Sequence, residues 1–155
     1  MATTRKEVRD SILARMQIVV AAAGTLNGYT VESSRIEPLD DSDGTAAAPA
    51  NTILIFAADK VDTPQATYGM QYVSVRTVNV TVEIYFSDTT STLIETKMDA
   101  IEAALTTALL GNAVWLATLD AHPAVTWQFL IKPDGGRFRG LCHASFACQV
   151  TAEVV

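Results

Sequence analysis

Two hydrophobic rhythms take turns along this chain, one with a period near 3.6 and one with a period of 2. The first opens the sequence. Over residues 4–23, Val8, Ile12, Leu13, Met16, Val19, Val20 and Ala23 gather on one broad stripe, which predicts an amphipathic helix. Thr4 and Glu7 have capping-box spacing at its start, and Gly24 supplies a stop. Arg9 falls inside the apolar arc, near the helix start, where its stem can lie on the core while its head reaches water. The same rhythm returns from Thr92 to about Gly111, where Ile94, Met98, Ile101, Leu105, Ala108 and Leu109 form a tight stripe. Thr92 with Glu95 repeats the capping spacing there.

Strand patterns fill the rest. Residues 29–36 predict a short strand, followed over 37–50 by a loop rich in Asp, Ala, Gly and Pro. Residues 51–58 read as strand with apolar side chains on both faces, Ile53, Ile55 and Ala57 against Leu54 and Phe56, as in a central strand or one covered by a partner. Residues 59–69, with Pro64 and Gly69, read as a long loop. From 71 to 86 a long strand follows, with Val78, Val80, Val82, Ile84 and Phe86 inward. Val73 and Val75 sit on the opposite parity, which predicts a β-bulge near Arg76 and Thr77. Trp115 and Leu119 fall in a short irregular stretch and are available to cover the core's edge. The C-terminal part predicts a hairpin. Val125, Trp127, Phe129 and Ile131 alternate up to a Pro133-Asp134-Gly135-Gly136 turn, and a return strand carries Phe138, Gly140, Cys142, Ala144, Phe146, Cys148, Val150, Ala152 and Val154 on one parity.

The order α-β-β-β-α-β-β predicts an α+β fold. It is a single mixed or antiparallel sheet with two amphipathic helices packed on one face, filling residues 1–155 as one domain. Nearly half the residues are hydrophobic while aromatics are few, so the core is expected to be built from small and β-branched side chains. No apolar run reaches the roughly 18 residues of a membrane-spanning helix, and the opening Met-Ala-Thr-Thr-Arg-Lys lacks a signal-peptide core. A protein made and kept on the cytoplasmic side, without a membrane partner, is expected. A net charge of -6 disfavours generic or sequence-specific nucleic-acid binding.

Residues arranged for chemistry are scarce. Gly135-Gly136 has no helix behind it to hold a phosphate, and neither a Gly-x-Ser-x-Gly elbow nor a His-Glu-x-x-His helix occurs. His122 and His143 read as surface or packing residues. Cys142 and Cys148 lie six residues apart on one strand, roughly 20 Å, too far for a disulfide, and read as small buried hydrophobes. Cys142 and His143 face opposite sides and cannot share a metal. Aligning Gly44 with the glycine of a calcium loop puts Leu39 and Ala50 at ligand positions, which excludes an EF-hand. Glu95, Asp99 and Glu102 read as a solvated face that Arg5, Lys6, Arg9 and Arg15 could oppose, within the subunit or across an interface. No enzymatic activity, cofactor or metal is therefore expected.

What remains is surface. Two helices cover only one sheet face, so Leu54, Phe56, Val73, Val75 and Leu141 are expected to be exposed on the other face of a monomer. Charge is segregated, with a basic first helix and a basic hairpin (Lys132, Arg137, Arg139) against an acidic segment containing Asp40, Asp41 and Asp43. These six are the candidate interaction residues. Opposed patches suit a head-to-tail contact, and such contacts close into rings.

Four stretches resemble the tail terminators of long-tailed bacteriophages, the family of the lambda minor tail protein U. They are the opening Arg-Lys-Glu-Val-Arg-Asp-Ser-Ile-Leu-Ala helix, Ile53-Leu54-Ile55-Phe56 before a long loop, the strand over 78–86 running into Asp88 and the helix with Ile94-Glu95-Thr96-Lys97-Met98-Asp99-Ala100-Ile101, and the long alternating C-terminal strand. The resemblance covers the whole chain in order and texture. It implies a structural protein of the virion, at the head-proximal end of the tail, that assembles with itself as a hexameric ring. It further implies that the ring caps the tail tube protein, stops its polymerisation and offers a joining surface to a head-completion or connector protein. Another neck or tail-completion protein fits the same texture. A cytoplasmic α+β enzyme or ligand-binding domain would need a pocket with convergent polar groups, and a tail-tube subunit would carry less helix.

Overall fold

The computed structural model describes residues 4–33, 50–64 and 72–154. Helix α1 (Arg5–Ala21) starts where the capping box predicts. The Thr4 hydroxyl accepts from the Glu7 N–H at 3.1 Å, and the Glu7 carboxylate accepts from the Thr4 N–H at 2.9 Å. Val8, Ile12 and Met16 are fully buried, with Leu13, Val19 and Val20 packed beside them. Ala23, expected on this stripe, lies beyond the Ala22 cap and is exposed.

The remaining elements are β1 (Thr30–Glu32), β2 (Thr52–Pro64), β3 (Tyr72–Asp88), α2 (Ser91–Leu109), the one-turn helix α3 (Ala113–Leu116), β4 (Ala124–Asp134) and β5 (Arg137–Val154). The five strands form one mixed sheet in the order β1-β2-β3-β5-β4, with β1 parallel to β2 and the other neighbours antiparallel. α1 packs on β1, β2 and β3, and α2 on β3 and β5. This is the expected α+β architecture, with α3 added in the stretch read as irregular. Trp115 of α3 is buried, and its indole N–H donates to Ser11 Oγ of α1 at 3.1 Å. One hydrogen bond thus pins the α2–β4 connection to the first helix.

Four expectations are corrected. The bulge lies in β2 and not in β3. Ala57 pairs with Val80 and Asp59 with Asn79, so Ala58 is the extra residue, while β3 pairs without a break with β5 from Tyr72–Val154 to Asp88–Phe138. Val75 shares the parity of Thr77, Asn79, Thr81, Glu83 and Tyr85 along this unbroken ladder, so the strand never changes phase. The segment read as a loop from residue 59 continues β2 as far as Pro64. Lys60 and Val61 in this extension are both open to solvent. Next, α2 is capped by Thr90, whose hydroxyl accepts from the Leu93 N–H at 3.2 Å. Thr92 lies inside the helix, and its carbonyl accepts from Thr96. Finally, β1 is shorter than read, and residues 34–36 of that reading lie outside the described ones.

The core fills the space between helices and sheet. Ile94, Ile101, Leu105, Ala108 and Leu109 of α2 meet Val78, Val80, Val82, Ile84 and Phe86 of β3, together with Cys142, Ala144, Phe146, Cys148 and Val150 of β5. Gly140 has a packing reason. It pairs with Phe86, and an added Cβ would stand 2.3 Å from that buried ring. The hairpin turns through Gly135 and Gly136 with φ of 56° and 84°, which matches a two-residue turn closed by the Asp134–Arg137 pair.

Two core substitutions test this packing. Leu105→Ala should cost about 2–5 kcal/mol by leaving a cavity, and Gly140→Ala about 1–3 kcal/mol by overpacking against Phe86. Glu95→Ala and Asp99→Ala, on the exposed side of α2, should stay near neutral. Denaturant melts of the four variants check it; equal losses at Leu105 and Asp99 would contradict the helix phase.

Candidate interaction surface

The face of the sheet away from the helices carries the chain's unusual polar groups. Tyr85 and Leu54, on β3 and β2, are buried there and pack with Leu141 of β5. Leu54 and Phe56 were expected to be exposed; they are 1% and 3% exposed, so part of this face is already covered within the chain. Val73's side chain lies outside the described ones. Glu83 stands among these residues, 2% exposed. Its carboxylate accepts from the Tyr85 hydroxyl at 2.8 Å and faces His143 Nε2 of β5 at 3.9 Å. The strand register causes this meeting, since Glu83 pairs directly with His143. A depression of about 580 Å³ opens beside them, lined by Glu83, Gln128, Phe129, Leu130, Leu141 and His143.

That depression borders β4, the edge of the sheet. Phe129 and Leu130 remain 38% and 45% exposed although they belong to a regular strand. Phe129 stacks on Trp127, with ring centroids 6.1 Å apart; the two pair with Cys142 and Ala144 of β5, so this aromatic pair lies on the helix side of the edge strand while Leu130 lies on the outer side. Residues 124–131 carry no charge at all. Strand edges that stay unpaired are commonly protected by charge, proline or a bulge. Here Pro123 and Pro133 stand only at the ends.

The structure brings Lys132, Arg137 and Arg139 together at the hairpin tip, all on the parity of the outer face. Lys132 pairs directly with Arg139, a like-charge contact, and Asp134 stands 3.8 Å from Arg139. Asp40, Asp41 and Asp43, the acidic half of the predicted interaction set, lie outside the described residues. The acidic face of α2 and the basic residues of α1 do not pair with each other among the described residues. Lys6 and Arg9 bond Asp10 of their own helix, and the Lys6 ammonium holds the Asp10 carboxyl below its ordinary value. Arg15 donates to the Ala108 carbonyl of α2 at 3.1 Å. The meeting of Glu83, Tyr85 and His143 was missed in the sequence, where Glu83 and Tyr85 are merely the polar side of an alternating strand. Only the register of β3 against β5 reveals it.

A second depression, about 630 Å³, runs between the end of α1 and the alanine-rich side of α2, from Ile18 and Val19 to Ala100, Ala104 and Thr107. Among the described residues no group of three His, Cys, Asp or Glu side chains could hold a metal ion, and no helix is long and apolar enough to cross a membrane. Cys142 and Cys148 are buried and unpaired on the helix side of the sheet, and burial pushes both thiols up to about 12.

No family model matches this chain, and no curated protein matches it. Among solved structures, a chain from the virion of a native gene transfer agent particle aligns over 91% of this chain and 92% of its own length, at 15% identity and a TM-score of 0.38. A likeness of that size carries neither fold nor role across.

The thiols give a direct check on the burial of the sheet's inner face. At pH 8 the native protein should react with a disulfide reagent such as dithionitrobenzoate at neither cysteine, and at both once it is unfolded in denaturant. Reaction of one equivalent in the native state would contradict the placement of that strand.

Proposed function

We propose that this chain is a bacteriophage structural protein, a tail terminator. Copies of it close into a ring, of six by the family resemblance, on the end of the tail tube. The ring stops further addition of tube protein and gives the head-side connector its joining surface. The role is structural and non-enzymatic, and its site of action is the head-proximal end of the virion tail. The resemblance described above supplies the family.

The observation that carries self-assembly is the β4 edge. Eight consecutive uncharged residues with exposed Phe129 and Leu130 make an edge suited to coverage by another chain. The hairpin tip supports a docking role. Lys132, Arg137 and Arg139 flank a two-residue turn, on strands backed by the full-length β3–β5 ladder. Groups held in place this way lose little freedom on binding.

Two measurements test the reading. Light scattering coupled to size exclusion, over a range of loading concentrations, should show reversible self-association; a strict monomer at the highest concentration contradicts it. Supplying the gene to a terminator-deficient phage should restore tails of normal length. Arg137→Glu with Arg139→Glu should leave the monomer fold intact and yield overlong, headless tails. Normal infectivity from the double reversal removes the hairpin from the docking surface. Overlong tails with the wild-type chain defeat the terminator reading.

A further inference from the structure

The two edges of the sheet have complementary geometry. β1 runs parallel to β2, and β2, β3, β5 and β4 then alternate in direction, so the edge strands β1 and β4 run oppositely. A rotation about an axis along the strands would therefore bring β4 of one copy beside β1 of the next as an antiparallel pair, the better-bonded arrangement. The heights agree as well. Glu32 pairs with Leu54, Leu54 with Glu83, Glu83 with His143, and His143 with Gln128. Thr30 leads in the same way through Thr52, Tyr85 and Leu141 to Leu130. β1 thus stands level with residues 128–130, inside the uncharged stretch of β4. Among the described residues nothing pairs with the outer side of either edge.

We propose that the β4 edge takes the β1 edge of a second copy of this chain, joining the sheets head to tail. This rests on the ring reading and names its contact. Head-to-tail contacts use two different surfaces on each copy and can therefore close. Main-chain bonds supply the pairing, and the neutral edge of β4 removes the desolvation cost that charged side chains would add there. Phe129 and Leu130, half open in the single chain, lose their exposure to the incoming strand. A β4–β4 pair between copies is the competing arrangement; it would make a two-fold dimer and leave both β1 edges unused.

Cysteine cross-linking separates the cases. Glu32 and Gln128 are exposed, on the same face of the sheet, and lie at opposite edges four strand spacings apart, roughly 19 Å. A disulfide between them within one chain is out of reach. The chain carrying both Glu32→Cys and Gln128→Cys, oxidised with diamide, should give a ladder of reducible multimers on a non-reducing gel, and Thr30→Cys with Leu130→Cys should do the same. Each single variant should give none, because Cys142 and Cys148 are buried. Dimers from Gln128→Cys alone would establish the two-fold pairing and overturn the proposal. Wild-type rings with no cross-link from either double variant would overturn edge pairing and leave the ring reading standing. A wild-type chain that never self-associates would overturn both.

Discussion

Everything in this fold hangs on the ladder between β3 and β5. Seventeen residues of β3 find partners on β5 without a slip in register, and in a sheet one slipped residue would exchange the two faces. The unbroken register keeps Val78, Val80, Val82, Ile84 and Phe86 together with Cys142, Ala144, Phe146 and Cys148 on the helix side. The same register places Glu83 beside His143 on the other side, and Lys132, Arg137 and Arg139 at one end of it. The bulge at Ala58 sits in β2, the neighbour, where it lets that strand continue toward Pro64 while the central ladder stays regular.

From this constraint follows an asymmetry between the faces. The helix side is closed by α1, α2 and Trp115 of α3. The other side is closed only in part, around Leu54, Phe56 and Tyr85, and opens toward β4 into a depression with a carboxylate among its lining groups. A proposed ring built through the sheet edges would leave this outer face and its basic tip as a continuous surface. Shape and charge there would suffice for capping, a task that needs no bond to be made or broken.

The legibility of the chain varied with the kind of information each feature needs. Periodicity within one element was enough for α1, for the stripe of α2 and for the β4–β5 hairpin, because amphipathic spacing and a Gly-Gly turn act locally. The cap of α2 was misplaced by two residues because Thr90 and Thr92 both offer a hydroxyl, and only the course of the chain from Asp88 selects between them. The bulge was assigned to the wrong strand because two valines on the outer parity imitate a phase change. The Glu83–Tyr85–His143 meeting depends on pairing between strands sixty residues apart, which no local pattern encodes. Lys132, Arg137 and Arg139 stand together at the hairpin tip, whereas Asp40, Asp41 and Asp43 lie outside the described residues.

The central claim is that copies of this chain close rather than grow without limit or remain apart. Negative-stain electron microscopy of the purified wild-type protein, at a concentration where it self-associates, tests that claim most directly. Closed rings of one uniform diameter with a central opening are the predicted result. Filaments would mean that the head-to-tail contact does not close, and featureless single particles would mean that it does not form; either would contradict the account.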